Sequence, residues 1–551
     1  MKFSVAQLNY HIGNFTANRE KIRKAILKAR DEKSDLVIFS ELSLPGYPPL
    51  DLLQRDYFLE ECRRTLEEIA GECRGITAIV GSPADGSPGD RDRKFFNSAL
   101  ALSDGKILFS AAKTLFPDFH IFDEHRYFRS GRNFSIFPFK GFRMALTIGS
   151  DLWYEQSPDY ESGEKENHTF LPMDELAGQH PDFIVNISAF PFSYTKTGER
   201  ISAFRNIAAK HGIPVINCNQ TGANTELIFD GASVIINGKG GICCRLPFFE
   251  EEVRTFGMEE IFREMPYGDH EDHDQVELVR KALVCGIHDY FRKSGISRAV
   301  LGLSGGLDSA VVLCLAAEAL GNDRVQALLM PSRYSSEDST ADAITLAERL
   351  NIPYNIINIE KSFRNFEEDL APLFGNKQPD VTEENIQARI RALLLMAVAN
   401  KSGSVLLNTS NKSEAAVGYG TMYGDMAGGL SVIGDVYKTD VYRLARHINR
   451  NGEIIPENTI SRPPSAELRT DQLDTDSLPE YSILDPILYQ YIEERKAPGK
   501  ITGKGITPEI VSRVIKMVSN SEYKRFQAPP VLRISSASFG QGRIMPLAAK
   551  Y

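Results

Sequence analysis

The chain has 551 residues, and at about 150 residues per domain this length predicts roughly two to four folded units. It is 42% hydrophobic and 25% charged, a composition typical of globular proteins and unlike that of disordered chains. Its 63 basic and 73 acidic residues give a net charge of −10. This balance disfavours a protein that coats nucleic acid or binds a membrane through a basic surface.

The seven cysteines are predicted to be free thiols, because their number is odd and no two of them form a CxxC pair. They are Cys62, Cys73, Cys218, Cys243, Cys244, Cys285 and Cys314. A disulfide framework and a zinc knuckle are both disfavoured. The N-terminus lacks a continuous apolar signal sequence, and an apolar run such as 393–399 is too short to span a bilayer. These features predict a cytoplasmic protein.

Short β-branched segments alternate with amphipathic stretches through the first half of the chain. We predict strands at residues 2–8, 36–40, 77–81, 143–148, 183–188 and 214–218. A helix is predicted at 17–33, where apolar residues such as Ile22 and Ala25 recur at helical spacing. Asp104-Gly105, between two strand-like segments, indicates a hairpin. The mixture predicts an α/β sandwich of layered sheets.

The second half of the chain starts after an acidic, irregular stretch at 249–276, which is typical of a linker. The elements predicted after it are a helix at 275–293, a strand at 298–303, a helix at 309–320 and a strand at 325–330. This order is that of a βαβ unit, which opens a parallel sheet. Ligands of such sheets bind at the carboxyl ends of the strands.

A glycine-containing loop lies at that position, between the predicted strand and helix. It consists of Ser304, Gly305, Gly306, Leu307, Asp308 and Ser309. Its two glycines allow the backbone to approach an anion, and the N-terminus of the following helix offers unpaired N–H groups. The loop is neither a Walker A sequence nor G-x-G-x-x-G. We interpret it as a phosphate-binding loop, with an ordinary glycine-rich turn as the alternative.

The SGGLDS sequence resembles the pyrophosphate loop of the N-type ATP pyrophosphatases, which adenylate carboxyl or carbonyl oxygens. Later segments resemble NAD synthetases, a branch of that superfamily, at residues 409–414, 418–425, 438–439, 462–468, 474–478 and 523–525. The resemblance implies a Rossmann-like parallel-sheet domain. It also implies ATP-dependent amidation of deamido-NAD to NAD+ through an adenylated intermediate, with release of AMP and pyrophosphate and with Mg2+ as cofactor.

The same resemblance implies roles for individual residues. The six residues of the loop and Thr409 would bind ATP, while Asn385, Glu414 and Lys524 would bind deamido-NAD. Asp308 and Glu414 would hold magnesium. Because charge spreads over phosphoryl oxygens during adenylation, lysines near the site are needed to neutralise it. We therefore expect the lysines of these motifs to contact substrate instead of lying on a solvated surface; they are Lys412, Lys438 and Lys524.

The first half resembles the nitrilase, or carbon–nitrogen hydrolase, domain that is fused to the synthetase in glutamine-dependent NAD synthetases. That resemblance implies an αββα sandwich at residues 1–260, a linker at 261–275 and a synthetase domain at 276–551. Glu41 would correspond to the family's general base and Lys113 to its oxyanion-stabilising lysine. In that family a cysteine thiolate attacks the glutamine amide and releases ammonia.

The predicted glutaminase site departs from the family pattern at its nucleophile. The family sequence I-C-E-D-L-W reads I-G-S-D-L-W here, so that Gly149 replaces the cysteine. Phe119 stands where a glutamine-binding tyrosine is expected and Phe190 where a serine is expected, whereas Lys196 is retained. A phenylalanine at 190 would replace a hydrogen-bonding group in a site that must hold a polar amide. These departures predict a degenerate glutaminase site.

Two other nucleophiles are disfavoured. Ser150 lies one position further along the chain, where the side-chain direction is expected to reverse. Cys218 lies on a different predicted strand. Glu41 and Lys113 would equally serve as a buried structural ion pair.

We therefore expect an NAD synthetase that takes ammonia, either free or from a separate glutaminase, and that assembles into a homo-oligomer. Two alternatives remain open. One is a conventional glutamine-dependent enzyme with an unrecognised nucleophile. The other is a non-catalytic protein that binds ATP or a dinucleotide. Comparing glutamine with ammonium as nitrogen donor would distinguish them.

Overall fold

The computed structural model describes residues 1–84, 95–116, 123–152, 171–263 and 274–549, and the statements below concern these residues. The chain divides into two compact units, Met1–Asp272 and His273–Tyr551, which are described separately. Most of the predicted linker, and Phe119, lie outside the described residues. Each unit has its own sheets and core.

The strands of the first unit alternate with a small number of helices. The strands are β1 (Lys2–Gln7), β2 (Leu36–Ile38), β3 (Thr77–Ala84), β4 (Phe96–Ser103), β5 (Lys106–Ala112), β6 (Ile136–Phe139), β7 (Phe142–Ile148), β8 (Phe183–Ser188), β9 (Val215–Asn219), β10 (Thr221–Asn224), β11 (Leu227–Asp230), β12 (Val234–Ile236), β13 (Ile242–Arg245) and β14 (Glu252–Gly257). The described helices are α1 (Phe15–Asp31), α2 (Asp56–Glu72), α3 (Pro172–Ala177), α4 (Lys196–His211) and α5 (Met258–Ile261).

Two six-stranded sheets form the centre of this unit. Their strand orders are β14-β1-β2-β3-β4-β5 and β13-β12-β9-β8-β7-β6. Apolar side chains from both sheets, such as Val5, Ile38 and Ile187, share one buried cluster between them. Helical residues such as Ile22 and Phe204 belong to separate clusters on the outer faces. The result is the αββα sandwich that the sequence predicts.

The predicted strands of the first half are confirmed, with ends that differ by a few residues. The hairpin is also confirmed, because β4 and β5 pair antiparallel across Asp104 and Gly105. Both turn residues have positive φ, 48° and 77°, as a tight hairpin turn requires. Helix α1 starts two residues before the predicted position because Asn14 caps it, its side chain accepting the backbone N–H of Ala17 at 3.1 Å.

The second unit contains a five-stranded parallel sheet surrounded by helices. Its strands are β15 (Ala299–Gly302), β16 (Val325–Leu329), β17 (Tyr354–Ile356), β18 (Val405–Asn408) and β19 (Leu430–Ser431). Its helices are α6 (Gln275–Ser294), α7 (Leu307–Leu320), α8 (Glu337–Arg349), α9 (Glu360–Phe374), α10 (Val381–Ser402), α11 (Lys412–Val417), α12 (Lys438–Ile448), α13 (Glu457–Ser461), α14 (Tyr481–Ile492), α15 (Pro508–Asn520) and α16 (Glu522–Arg525).

The strand order of this sheet fixes the position of its binding site. The order is β17-β16-β15-β18-β19, so the chain moves outward from β15 in one direction and then returns to its other side with β18. All neighbouring strands pair in parallel. At such a switch point the loops that follow the two strands separate and leave a crevice. The loops after β15 and β18 carry SGGLDS and TSNKSE.

Two further sequence predictions concern cysteines and membrane spans. All seven cysteines are free thiols in the structure. Among the helices of the described ranges, none has the length and apolar character needed to cross a bilayer.

Candidate functional site

The phosphate-binding loop has a conformation that only glycine permits at its second position. Gly305 has φ +86°, and a Cβ there would lie 2.1 Å from the backbone oxygen of Ser339. The Ser309 hydroxyl donates a hydrogen bond to the Gly306 oxygen at 3.0 Å and lies 3.3 Å from the Ser304 nitrogen, which keeps the loop compact. The N-terminus of α7 follows directly. The loop therefore presents backbone N–H groups and a helix N-terminus to the same crevice.

The crevice is a cavity of 300 Å3, which we call the phosphate-loop cavity. All six loop residues line it, including the predicted metal residue Asp308. The predicted ATP residue Thr409 and the second predicted metal residue, Glu414, also line it. Lys438 and Asp474 also line it. The structure thus brings together side chains that lie more than 150 residues apart in the sequence.

Two carboxylates and a lysine lie close together inside this cavity. The Lys438 ammonium forms an ion pair with Oδ2 of Asp308, and Oδ1 of Asp308 accepts a hydrogen bond from Nδ2 of Asn411 at 3.4 Å. Glu414 lies in the first turn of α11, where its carboxylate accepts the backbone N–H of Asn411 at 3.2 Å. Burial and the neighbouring Asp308 carboxylate raise the pKa of Glu414 well above its ordinary value. A cation bound here would relieve that repulsion.

These donors fit magnesium. Within the described part of the chain, no three His, Cys, Asp or Glu side chains are grouped as a metal site. Mg2+ is usually held by one or two carboxylates together with substrate phosphates, not by an all-protein cage. Asp308 and Glu414 supply two such carboxylates beside a phosphate-binding loop.

The residues expected to bind deamido-NAD contact the segment 418–425, which follows α11. The Thr421 hydroxyl donates to Oδ1 of Asn385 at 2.6 Å. The Lys524 ammonium donates to the backbone oxygens of Gly418 and Gly420, both at 2.8 Å. Glu414 lines the cavity itself, whereas Asn385 and Lys524 are not among the lining residues. If Asn385 and Lys524 contact the substrate, as the resemblance implies, they do so beside the phosphate-loop cavity.

The expectation that Lys412 contacts substrate is wrong. Its side chain is completely buried. The ammonium forms ion pairs with Asp435 and Glu493 and donates to the Ser535 hydroxyl at 2.8 Å and to the Ala537 backbone oxygen at 3.0 Å. Because its hydrogen-bonding capacity is used internally, Lys412 holds the C-terminal segment against α11.

A second buried charged group lies in the first unit, and we call it the Glu41 cluster: Glu41, Asn97, Lys113 and Glu124. The Lys113 ammonium lies 2.8 Å from both glutamates. Nδ2 of Asn97 donates to Oε1 of Glu41 at 2.7 Å. Burial raises the pKa of Glu41, and Lys113 partly opposes that shift. The pKa of Lys113 is raised, because Glu124 and Glu41 outweigh the effect of burial.

Gly149 lies directly against this cluster. A Cβ at position 149 would lie 3.1 Å from Oε2 of Glu41 and 3.1 Å from Nζ of Lys113. The φ angle of Gly149 is +53°, a region that favours glycine. A side chain at this position would therefore point at a carboxylate base and an ammonium group. Position 149 thus faces the Glu41 cluster without a side chain of its own.

The other residues of the degenerate glutamine site have ordinary structural contacts. The Phe190 ring packs beneath the Arg200 guanidinium, 5.5 Å away, and near the Phe204 ring. Lys196 begins α4, is partly exposed, and pairs with Glu199 at 3.1 Å. Phe119 lies outside the described residues.

The two alternative nucleophiles are engaged elsewhere. The Ser150 hydroxyl donates to the Leu115 backbone oxygen at 2.5 Å. The Cys218 thiol lies between the two sheets, where it donates to the backbone oxygens of Ala6 and Ile38. Burial raises the pKa of the Cys218 thiol, which disfavours the nucleophilic thiolate.

Sequence reasoning missed several members of both sites. Glu124 and Asn97 come close to Glu41 only by folding. The sequence Phe122-Asp123-Glu124 after Lys113 was a usable signal for Glu124, whereas no local pattern marks Asn97. Asp474 begins a segment that resembles NAD synthetases, and its place among the matched segments was a usable signal for a role in the site. The role of Tyr481, whose hydroxyl donates to Asp474, had no such signal.

Comparisons with known proteins agree with this arrangement. Residues 2–259 match the Carbon-nitrogen hydrolase family and residues 279–528 match the NAD synthase family. The glutamine-dependent NAD(+) synthetase of Synechocystis sp. is 40% identical, over 100% of this chain and 98% of that protein. The Thermotoga maritima protein of the same name is 38% identical, over 100% and 99%.

Two solved structures of full-length relatives have the same fold. One is the glutamine-dependent NAD+ synthetase of Acinetobacter baumannii in complex with adenosine diphosphate, which is 34% identical, with a TM-score of 0.77 over 99% of this chain and 98% of that one. The other, from Cytophaga hutchinsonii, is 21% identical, with a TM-score of 0.81 over 100% and 98%, and shows the fold alone. By sequence over its full length and by the folds of both units, the chain belongs to the glutamine-dependent NAD(+) synthetase family.

Proposed function

We propose that the chain converts deamido-NAD to NAD+ with ATP, releasing AMP and pyrophosphate. The observation that carries this proposal is the phosphate-loop cavity, which gathers SGGLDS, Thr409, Lys438 and two carboxylates at the switch point of the sheet. The names of the relatives and the ADP complex of one of them support it.

The residues of the cavity suit an adenylation. The carboxylate oxygen of the nicotinate attacks the α-phosphorus, and the bond to pyrophosphate breaks. The N–H groups of the loop and the N-terminus of α7 would hold the departing pyrophosphate, and Lys438 would neutralise its charge. Magnesium held by Asp308 and Glu414 would supply further neutralisation of phosphoryl charge. Ammonia then attacks the acyl carbon, AMP leaves, and one proton is released.

We further propose that ammonia is the nitrogen donor, either free or released by a separate glutaminase. Gly149 carries this proposal, because the position that faces Glu41 and Lys113 has no thiol. The engagement of Ser150 and Cys218 elsewhere supports it. The Glu41 cluster would then be a buried network of ion pairs, whose charges are satisfied by each other and not by a substrate.

The deciding experiment compares ammonium with glutamine as nitrogen donor for the purified full-length chain. We expect NAD+ formation with ammonium. The kcat/KM for glutamine should be lower than that for ammonium by about 100-fold or more, since covalent catalysis is lost. The glutamine stock must be freed of ammonium as a control. Efficient glutamine-supported synthesis would contradict the loss of the glutaminase, and absence of pyrophosphate release with either donor would favour a non-catalytic binding protein.

A conventional glutamine-dependent enzyme is the second candidate. The printed names of the relatives and the retained Glu41 and Lys113 favour it. Such an enzyme requires a covalent intermediate on a residue other than Gly149. Mass spectrometry after incubation with a glutamine-like electrophile tests it directly, because a labelled side chain in the first unit would identify the nucleophile.

We also propose that the chain forms a homo-oligomer. One face of α10 presents Leu393, which is 65% exposed, and Met396, which is 39% exposed. Exposed apolar side chains at helical spacing on one face are typical of a surface that is covered in an assembly. A second copy of the chain is the occupant that the family resemblance implies.

A further inference from the structure

Lys438 is the first residue of α12 and lies among three carboxylates of the phosphate-loop cavity. Its ammonium is paired with Oδ2 of Asp308, and the Glu414 and Asp474 carboxylates add further attraction. The lysine side chain is only 4% exposed. The group of three carboxyls and one ammonium carries an excess of negative charge only when all three carboxyls are ionised, and burial together with neighbouring carboxylates raises the pKa of Glu414 and of Asp474. In that ionised form the group is arranged for more positive charge than the chain itself supplies.

Asp474 is the least satisfied of these carboxylates. It is 4% exposed. Its Oδ2 accepts a hydrogen bond from the Tyr481 hydroxyl at 2.9 Å, and the Tyr419 hydroxyl is a second hydrogen-bonding neighbour of this carboxylate. Its Oδ1 is buried, and among the described residues no hydrogen bond of standard geometry reaches it. Burial raises the pKa of Asp474, although Lys438 and nearby tyrosine hydroxyls oppose that shift. A buried carboxylate oxygen without a partner is costly, so such an oxygen indicates a partner that arrives in another state of the site.

The ring of Tyr481 connects Asp474 with Lys438. The Lys438 ammonium lies 5.6 Å from the centre of that ring, while the Tyr481 hydroxyl donates to Asp474. The same tyrosine therefore contacts the ammonium with its ring and Asp474 with its hydroxyl. A lysine side chain can change rotamers around its stem, so the ammonium is able to exchange one carboxylate for another.

Asp308 cannot serve Lys438 and a divalent cation with the same oxygen. Its Oδ2 is occupied by the ammonium and its Oδ1 accepts the amide of Asn411. Asp308 is also one of the two carboxylates proposed above to hold magnesium. A cation that binds Asp308 through Oδ2 competes with Lys438 for this oxygen, and a displaced ammonium needs a new anionic partner.

We propose that Lys438 is a placeholder cation: its ammonium occupies Asp308 until the divalent cation and ATP bind, and it then moves to Asp474 and the nucleotide phosphates. Asp474 is the positioning residue that receives the ammonium. This inference rests on the proposed metal site. It predicts that metal and nucleotide bind cooperatively, because the phosphates help to stabilise the ammonium that the metal displaces.

Mn2+ binding to the full-length chain tests the exchange without catalysis. Free Mn2+ is measured by electron paramagnetic resonance, with and without a non-hydrolysable ATP analogue. We expect Mn2+ alone to bind to Lys438→Met about tenfold more tightly than to the wild type, because no ammonium has to be displaced. The cooperativity between Mn2+ and the nucleotide should fall by about the same factor. Lys401→Met, at an exposed position on α10, is the control for the loss of one charge.

A double-mutant cycle isolates Asp474. Asp474→Asn keeps the size of the side chain and an acceptor for Tyr481, and we expect it to weaken Mn2+ binding about tenfold in the wild-type background. In the Lys438→Met background the same change should have little effect, because there is no ammonium to receive. Circular dichroism and thermal unfolding identify any variant that fails to fold, and the remaining corners of the cycle still test the exchange.

Three outcomes overturn the inference. Equal weakening by Asp474→Asn in both backgrounds would show that Asp474 acts on the metal directly. Unchanged Mn2+ affinity in a folded Lys438→Met would show that the lysine is not a placeholder, while the proposed metal site would stand. Failure of the wild type to bind Mn2+ even with nucleotide would overturn the metal site of the proposed function as well.

Discussion

The backbone at Gly149 would direct a side chain at this position toward a carboxylate and an ammonium. Its φ is +53°, and a Cβ at this position would approach both Glu41 and Lys113 to 3.1 Å, so any added side chain would lie at the charged cluster. A thiol there would lie beside a carboxylate that can take its proton and an ammonium that favours the thiolate. Under the proposed loss of the glutaminase, the missing chemistry at this position is therefore that of one side chain.

We predict that Gly149→Cys gains a thiol that reacts rapidly with iodoacetamide. The label should map to position 149 and form faster than at the seven native cysteines, several of which have pKa values raised by burial. The left-handed backbone should cost roughly 1–2 kcal/mol of unfolding free energy. Peptide mapping by mass spectrometry measures the first effect and chemical unfolding the second.

The matched control for this prediction is Glu41→Gln in the Gly149→Cys background. Because the amide cannot accept the thiol proton, the labelling rate should fall about tenfold or more. Labelling that is slow with Glu41 present, or unchanged without it, would show that the cluster does not activate a thiol at position 149.

At the scale of elements, the short turn Gly149–Leu152 that follows β7 depends on one buried carboxylate. Asp151 accepts the backbone N–H groups of Thr114 and Leu115, at 3.0 and 2.7 Å. Burial raises the pKa of Asp151 to about 7, although these hydrogen bonds oppose the shift. The turn therefore joins the end of β7 to the segment that follows Lys113, through a group that titrates near neutrality.

The raised pKa of Asp151 predicts a pH-dependent stability. The folded state binds this proton more tightly than the unfolded state, so its contribution is fully present below about pH 4 and is lost as pH rises through about 7. Asp151→Asn keeps one acceptor oxygen but does not titrate. We expect the unfolding free energy of the wild type, relative to that of this variant, to fall between pH 5 and pH 8.

Thermal or urea unfolding of both proteins at the two pH values measures this difference. Groups that titrate in both proteins contribute equally to the two unfolding free energies, so their contributions cancel. A difference that does not change with pH would mean that Asp151 has the same pKa in the folded and unfolded states.

The sequence predicted elements whose signals are local. Strand alternation, the Asp104-Gly105 turn and the loop between β15 and α7 all follow from a few neighbouring residues. It did not predict the burial of Lys412, because that depends on Asp435 and Glu493, which reach it only after folding. Lys412 and Lys438 both lie in segments that resemble NAD synthetases, yet one lysine faces the C-terminal segment and the other the cavity.

At the scale of the whole molecule, the two units carry charged clusters of opposite character. In the Glu41 cluster a lysine lies between two glutamates and all three side chains are buried. In the phosphate-loop cavity the carboxylates around Lys438 line an open volume. Both clusters contain a buried oxygen without a hydrogen-bond partner among the described residues, Oδ1 of Asn97 in the first and Oδ1 of Asp474 in the second, so the difference between them lies in the open volume. An open volume beside charged groups is what the proposed adenylation in the second unit requires.

The exposed face of α10 gives the last prediction, which concerns assembly. Leu393→Glu introduces a charge at the centre of the proposed contact between copies, where an unpaired charge would be costly to bury. Sedimentation velocity should show the wild type as an oligomer and this variant as smaller species at the same concentration. Lys401→Glu, at an exposed polar position on the same helix, is the matched control and should sediment as the wild type does. If Leu393→Glu also sediments like the wild type, the copies associate through another surface, because a buried carboxylate on α10 would not be tolerated at a closely packed interface.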